Sequence, residues 1–425
     1  MSASFVRSLI VGSIVLLSAA SITTAAEDAA AGSVPPEPIA ESALSLEALV
    51  AIAESSSPNL GQAAAEVEMA RGRARQAGLY PNPIASGGAM QLGGRDSQYY
   101  GQLSQEIVTR RKLQLDQAAV CREVFQAESR YIRVRFELLT AVRIGYFNVL
   151  VGQKRVDVLG QLVEIARKSE SAAERLQAAG EGTRSDTILL QLELEKAEVA
   201  LENAEAILSA ARRQLAAEMG SRDLQIGRVE GDVLTSLETF AAQVLVDGYV
   251  PYNADVTVAE LEVDRNRLLL QRARVQPYPN VTINAGYMRE YRGLDNIALL
   301  NVEVPLPVWN KNQGNIYAAQ AGVSRAAQNV AQVQNTIAQQ VADAQGRYRA
   351  ADQNCQRYEK RIVPLAREGV QLIQQGFQQG QFDFLRLLQA QRALVEAQLG
   401  YLNALETRWL TAAELGSLAQ VEAFP

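Results

Sequence analysis

The side chains able to do chemistry in this 425-residue chain are defined first by what is missing. There is no histidine, which removes the commonest general acid/base and the commonest transition-metal ligand together. Two cysteines, Cys121 and Cys355, can build neither a disulfide framework nor a four-ligand zinc site. No nucleophile stands beside a base, no glycine-rich loop is arranged to hold phosphate, and no metal ligands cluster. An enzyme is therefore excluded and no cofactor or resident metal is expected. The net charge of −6 and the isoelectric point near 5.2 leave no clustered basic face, so nucleic acid is not a partner. What remains is a pair of short acids, Asp186 and Asp383, each just past a glycine-bearing turn, Gly180-Glu181-Gly182 and Gly376 to Gly380. An Asp in such a place ordinarily caps the helix that follows.

The elements that must position these turns are long helices. From about Thr109 to Ala179, and again from about Gln313 to Gln375 with a kink expected at Pro364, a polar/apolar pattern runs on. At about 1.5 Å per residue the first is on the order of 100 Å long. No compact domain houses such a helix, so it projects as a coiled structure. A shorter helix then returns to Met219-Gly220 or to Leu415-Gly416. The chain reads as two copies of one plan. Tyr80-Pro81-Asn82 recurs as Tyr278-Pro279-Asn280, Leu189-Leu190-Gln191 as Leu387-Leu388-Gln389, and Ala216 to Gly220 as Ala412 to Gly416, in one order at nearly one offset.

Each half opens with a helix that the Tyr-Pro-Asn proline stops, followed by a strand pair, at about 82–108 and about 280–306. Val281, Ile283, Ala285 and Tyr287 alternate with Thr282, Asn284, Gly286 and Met288, and Gln98 to Glu106 alternate with Tyr99 to Ile107. Strands of this length with one apolar face fit a tilted bilayer crossing. A small sheet capping a helical domain has the same alternation. In a bilayer four open-edged strands leave backbone groups unpaired, so a membrane reading requires several chains to close one barrel. The domain organisation expected is a signal peptide at 1–26, marked by Arg7, the apolar run Leu9 to Ala20 and Thr24-Ala25-Ala26. A proline-bearing tether follows at 27–43, then the first repeat at 44–219, an equatorial segment at 220–254, the second repeat at 255–416 and a tail at 417–425.

Three segments resemble the TolC-like outer-membrane factor family over essentially the whole mature chain. Val304-Pro305-Leu306-Pro307-Val308-Trp309-Asn310-Lys311-Asn312-Gln313-Gly314 resembles the family's junction from the fourth strand into a long helix. Gln76-Ala77-Gly78-Leu79-Tyr80-Pro81-Asn82-Pro83 resembles the junction into the first strand, and Gly180 to Asp186 followed by Leu189 resembles the tip hairpin. The resemblance implies a mainly α fold with a small β part. Three chains, each giving four strands, would close a twelve-stranded barrel in the outer membrane. Their helical hairpins would form a tube across the periplasm. It also implies a periplasmic adaptor and an inner-membrane pump as partners, outer-membrane lipid around the barrel, and a passive gated duct as the function. The junctions look closest to the branch that exports heavy-metal cations. A drug or polypeptide duct of the same family is the runner-up. From a different class, a periplasmic coiled-coil scaffold or adaptor accounts for the helices but not for the strand pairs.

On that resemblance, three copies of Asp186 or Asp383 make a carboxylate ring at the periplasmic gate, which favours cations. Gly180, Gly182, Leu189, Leu190, Gly380, Leu387 and Leu388 form the candidate adaptor-docking tip, with helical packing as the alternative for each leucine. Pro81, Pro83, Pro279, Pro305 and Pro307 mark the barrel–helix junctions. Tyr99, Tyr100, Tyr287 and Tyr291 sit where an aromatic girdle would meet the membrane interface. Arg110, Arg111, Lys112 and Lys311 fall just past the strands, where they meet headgroups, cap the barrel mouth or begin a solvated helix. Cys121 lies near the start of its long helix and Cys355 far along the other, so no disulfide joins them.

Overall fold

A computed structural model describes residues 44–91, 93, 96–180, 182–221, 223–231, 250–291, 293, 295–379, 381–382 and 384–420. The expected signal peptide and tether lie outside the described residues. Helix α1 (Leu46–Ser56) is capped by the Ser45 hydroxyl, which accepts from the Ala48 N–H at 3.3 Å. Pro58 then opens α2 (Pro58–Ala77), the first-turn position where a missing N–H costs nothing. After β1 (Ile84–Gln91) and β2 (Gln98–Ile107), α3 runs unbroken from Lys112 to Ala178, 67 residues or about 100 Å. α4 (Arg184–Glu218) returns beside it. The second half repeats the order with α5 (Ala254–Val275), β3 (Val281–Glu290), β4 (Asn296–Glu303) and α6 (Gln313–Arg357).

Here the halves diverge. A π turn at Tyr358–Ile362 interrupts the second long helix before α7 (Val363–Gln378). Pro364 has no N–H, and its ring would clash with the carbonyl four residues back. One extra residue in the turn before it absorbs both problems, so the distortion sits ahead of the proline. α8 (Phe384–Ala419) packs back along α7 and continues to Ala419.

α3 is the axis of the packing, touching α1, α2, α4, α5 and α8, while α6 packs on α5 and α8. The largest apolar cluster among the described residues lies where both hairpins and α1 meet. It includes Leu49, Val142, Val149, Leu215, Met219, Val256, Val341, Leu405 and Trp409. Phe147 stacks on Trp409 at 3.9 Å, and Tyr146 donates its hydroxyl to the Glu230 carbonyl at 2.6 Å. Leu44 bridges Val229 in parallel at this same level. No described helix is long and apolar enough to cross a membrane.

The four strands form one antiparallel sheet in the order β1-β2-β3-β4, so the two hairpins, distant in sequence, pair through β2 and β3. The register sets Leu103 beside Ala285 and Ala285 beside Leu300. β1 and β4 are the outer strands, each with one side unpaired among the described residues.

Candidate functional site

The sheet is apolar on the side without cover. Tyr99, Leu103 and Ile107 of β2, Tyr287 of β3 and Leu300 and Val302 of β4 share one face and stay exposed, Leu300 by 76%. The opposite face carries Gln98, Gln102, Ser104 and Glu106, all partly covered, and the buried Asn284, with Ile84, Met288, Ile297 and Leu299 among them. Water would drive the reverse arrangement, with the apolar face covered. Tyr99 and Tyr287 stand on the apolar face. Tyr100 does not: alternation turns it to the polar face, where its ring lies over Gly88. Tyr291 lies exposed beyond β3.

At the foot of the sheet the halves are joined by one polar knot. Lys112, only 3% exposed, donates Nζ to the Tyr278 carbonyl at 2.5 Å and to Asn280 Oδ1 at 2.7 Å. Asn280 Nδ2 donates to Glu106 at 2.6 Å, and the Thr109 hydroxyl to the Pro279 carbonyl at 2.7 Å. Burial first, and the nearby Arg272 charge second, hold the Lys112 ammonium below the usual lysine range. Lys112 therefore neither meets headgroups nor sits solvated; it clamps one repeat to the other. The Arg110 guanidinium stacks on the Tyr278 ring at 4.3 Å, and Arg111 is exposed with left-handed backbone, φ 56. Pro81 accepts from Gln105 Nε2 at 3.1 Å, while Pro83, Pro305 and Pro307 are exposed. Sequence reasoning missed Lys112 as a clamp because a basic run after a strand looks solvated; Asn280, recurring with its Tyr-Pro, was the available signal.

At the far end of the first hairpin the turn is a built cap. Gly180 has φ +78, and a Cβ on Gly182 would come within 3.0 Å of the Gln177 nitrogen and 3.2 Å of the Leu176 carbonyl carbon. Glycine is favoured at 180 by the positive φ and at 182 by the close approach of the backbone. Thr183, not Asp186, is the helix cap: its hydroxyl oxygen accepts from the Asp186 N–H at 3.2 Å and its O–H donates to the Asp186 carboxylate at 2.6 Å. Asp186 is thus an exposed first-turn acid held by the cap. Leu190 and Leu388 pack together with Ala173, and Leu387 is also buried, whereas Leu189 is 48% exposed. The structure therefore brings the two tips together through Leu190 and Leu388. Asp383 and Gly380 lie outside the described residues. The tips are also linked by Arg392 and Glu193 at 3.2 Å, an exposed pair of small energetic weight.

The described cysteines are both free. Cys355 is buried beside the Arg408 guanidinium, 3.9 Å from its Nη1. Burial pushes its thiol up in pKa, and burial does the same to the phenols of Tyr146 and Tyr348. No group of potential metal ligands occurs among the described residues.

The family model for outer membrane efflux proteins matches residues 252–419, a span that runs from α5 to α8. The cobalt-zinc-cadmium resistance protein CzcC of Cupriavidus metallidurans is 29% identical over 364 residues, 85% of this chain and 86% of that protein. Among solved structures, CusC superposes with a TM-score of 0.74 at 17% identity, covering 88% of this chain and 91% of that one. The outer membrane protein VceC of Vibrio cholerae gives 0.72 at 19%, covering 88% and 95%. The MtrE outer membrane channel of Neisseria gonorrhoeae gives 0.73 at 18%, covering 88% of each chain. The resemblance read from the junction and tip segments is borne out, as is the mainly helical fold with its small sheet.

Proposed function

We propose that the chain, an outer-membrane efflux protein that extends into the periplasm, works as one subunit of a passive, gated duct, and that three copies build it. The observation that carries this is the inverted sheet, apolar outward and polar inward, with an unpaired side on β1 and on β4. Strands of 8 to 10 residues span a hydrocarbon core when tilted. In a meander of four, β1 and β4 run in opposite directions, so β4 of one copy meets β1 of the next as an antiparallel pair. Two copies make eight strands, whose interior side chains fill the barrel; three make twelve and leave an opening. The likeness to outer membrane efflux proteins supports an inner-membrane pump and a periplasmic adaptor as the partners that supply energy and cargo.

Heavy-metal cations are the cargo best supported, through the likeness to a cobalt-zinc-cadmium resistance protein. A duct needs weak wall contacts rather than ligands, so the lack of histidine is no obstacle. Asp186 is the described candidate for an acidic ring at the gate, and Leu189 for an adaptor contact. The detergent-extracted protein should have the mass of three chains and conduct ions across a planar bilayer; a water-soluble single chain without conductance would favour the scaffold reading. Deleting the gene should sensitise its host to zinc, cobalt or cadmium. Unchanged metal tolerance with raised sensitivity to organic toxins would move the cargo to drugs.

A further inference from the structure

We infer that the segment joining β4 to α6, residues 304–312, clasps residues 79–82 of a second copy of the chain, repeating between copies a contact that each copy makes within itself. The inference rests on the three-copy assembly proposed above. Within one chain, the end of β2 and the start of α3 lie against the Tyr278-Pro279-Asn280 corner. Asn280 there accepts from the Thr109 N–H at 3.2 Å and from Lys112, and donates to Glu106. The internal repeat makes Tyr80-Pro81-Asn82 the counterpart of that corner. It makes Asn312 the counterpart of Arg111: each directly precedes a long helix, and each is left-handed, with φ 59 and φ 56.

The two counterparts do not meet in one chain, because they lie at opposite edges of the sheet. Each is anchored within its own chain, Tyr80 through its hydroxyl on the Val108 carbonyl at 3.3 Å and Asn312 on Ala273, yet each leaves groups uncovered. Asn82 is exposed and its side chain makes no hydrogen bond among the described residues, whereas Asn280 bonds three groups. At the other edge Leu306, Val308 and Trp309 are 78%, 61% and 89% exposed. Leu79 and Tyr80, on the β1 side, are 53% and 57% exposed and offer the apolar area such a segment would cover. The segment is not free to wander: Asn312 Nδ2 donates to the Ala273 carbonyl at 2.8 Å, fixing its far end to α5. A patch at one edge fitting a different patch at the other is a heterologous contact, which closes a ring when the rotation permits. The chemistry of the clasp differs between its two uses. Gln313 stands where Lys112 stands, so the buried ammonium of the internal contact has no counterpart between copies, where the segment's one charge is the exposed Lys311.

The pair Asn82→Cys and Asn310→Cys tests this in the intact, detergent-extracted protein, using a short bifunctional methanethiosulfonate and the parent chain with its own Cys121 and Cys355 as control. Both substituted positions are exposed, so folding is not at stake. A denaturing gel should show a covalent ladder ending at the mass of three chains, while Thr109→Cys with Asn280→Cys stays at the mass of one. A native mass of three chains without the ladder overturns the clasp and leaves the assembly standing. A native mass of one chain overturns both. Labelling of Asn310→Cys by a membrane-embedded maleimide lipid, in place of cross-linking, assigns the segment to the bilayer and overturns the clasp.

Discussion

Lys112 shows how one buried cation can hold two halves of a chain in register. Its Nζ satisfies a carbonyl and an amide oxygen that water reaches poorly. Lys112→Met keeps the stem and removes the donors, so it should cost about 1–3 kcal/mol, read as a lower urea midpoint in the extracted protein. Arg111→Met, one residue earlier and exposed, should leave the midpoint unchanged. At the tip, cap and charge can be separated. Thr183→Ala removes the cap of α4 and should cost about 1 kcal/mol of local stability, seen as faster amide exchange at the start of α4. Asp186→Asn keeps an acceptor near Thr183 but deletes the charge. Under the gate proposal it should shift the reversal potential in a salt gradient toward lower cation selectivity; an unmoved potential would remove Asp186 from the gate.

Among the helices, the difference between repeats is the informative feature. α3 is continuous, whereas its counterpart is broken by the π turn at Tyr358–Ile362. Below the break, α7 packs chiefly on α8, and Leu365 and Leu372 remain exposed. The turn is seated on Gly400, where an added Cβ would fall 2.7 Å from the Tyr358 ring. Gly400→Ala should therefore overpack this contact and lower the melting temperature by an amount equivalent to about 1–3 kcal/mol, whereas Gly346→Ala, in open space on α6, should not. The proline marked this break in the sequence but not its form, because the extra residue sits in the turn before it. The strands were legible as alternation. Which face looked outward was not, since a period of two is the same for a capping sheet and for a barrel wall.

On the scale of the whole molecule, the apolar cluster joining both hairpins holds three acidic groups whose pKa values burial raises: Cys355, Tyr146 and Tyr348. A raised acid binds its proton more tightly when folded. Stability is thus fully present below the unfolded pKa and falls as pH rises above it, beginning near the ordinary thiol value of about 8.5. Melting temperature should decline through the alkaline range, and Cys355→Ala should flatten the first part of that decline; an identical slope in the variant would place the pH sensitivity elsewhere. The repeat, the paired strands, the long helices and the lack of catalytic groups all follow from the sequence, because periodicity, proline placement and residue inventory are local properties. The pairing of β2 with β3, the burial of Lys112 and the meeting of Leu190 with Leu388 were decided only by tertiary structure. Each joins residues from different repeats, and which groups lose water on such contact depends on how the hairpins pack, which no single stretch of sequence encodes.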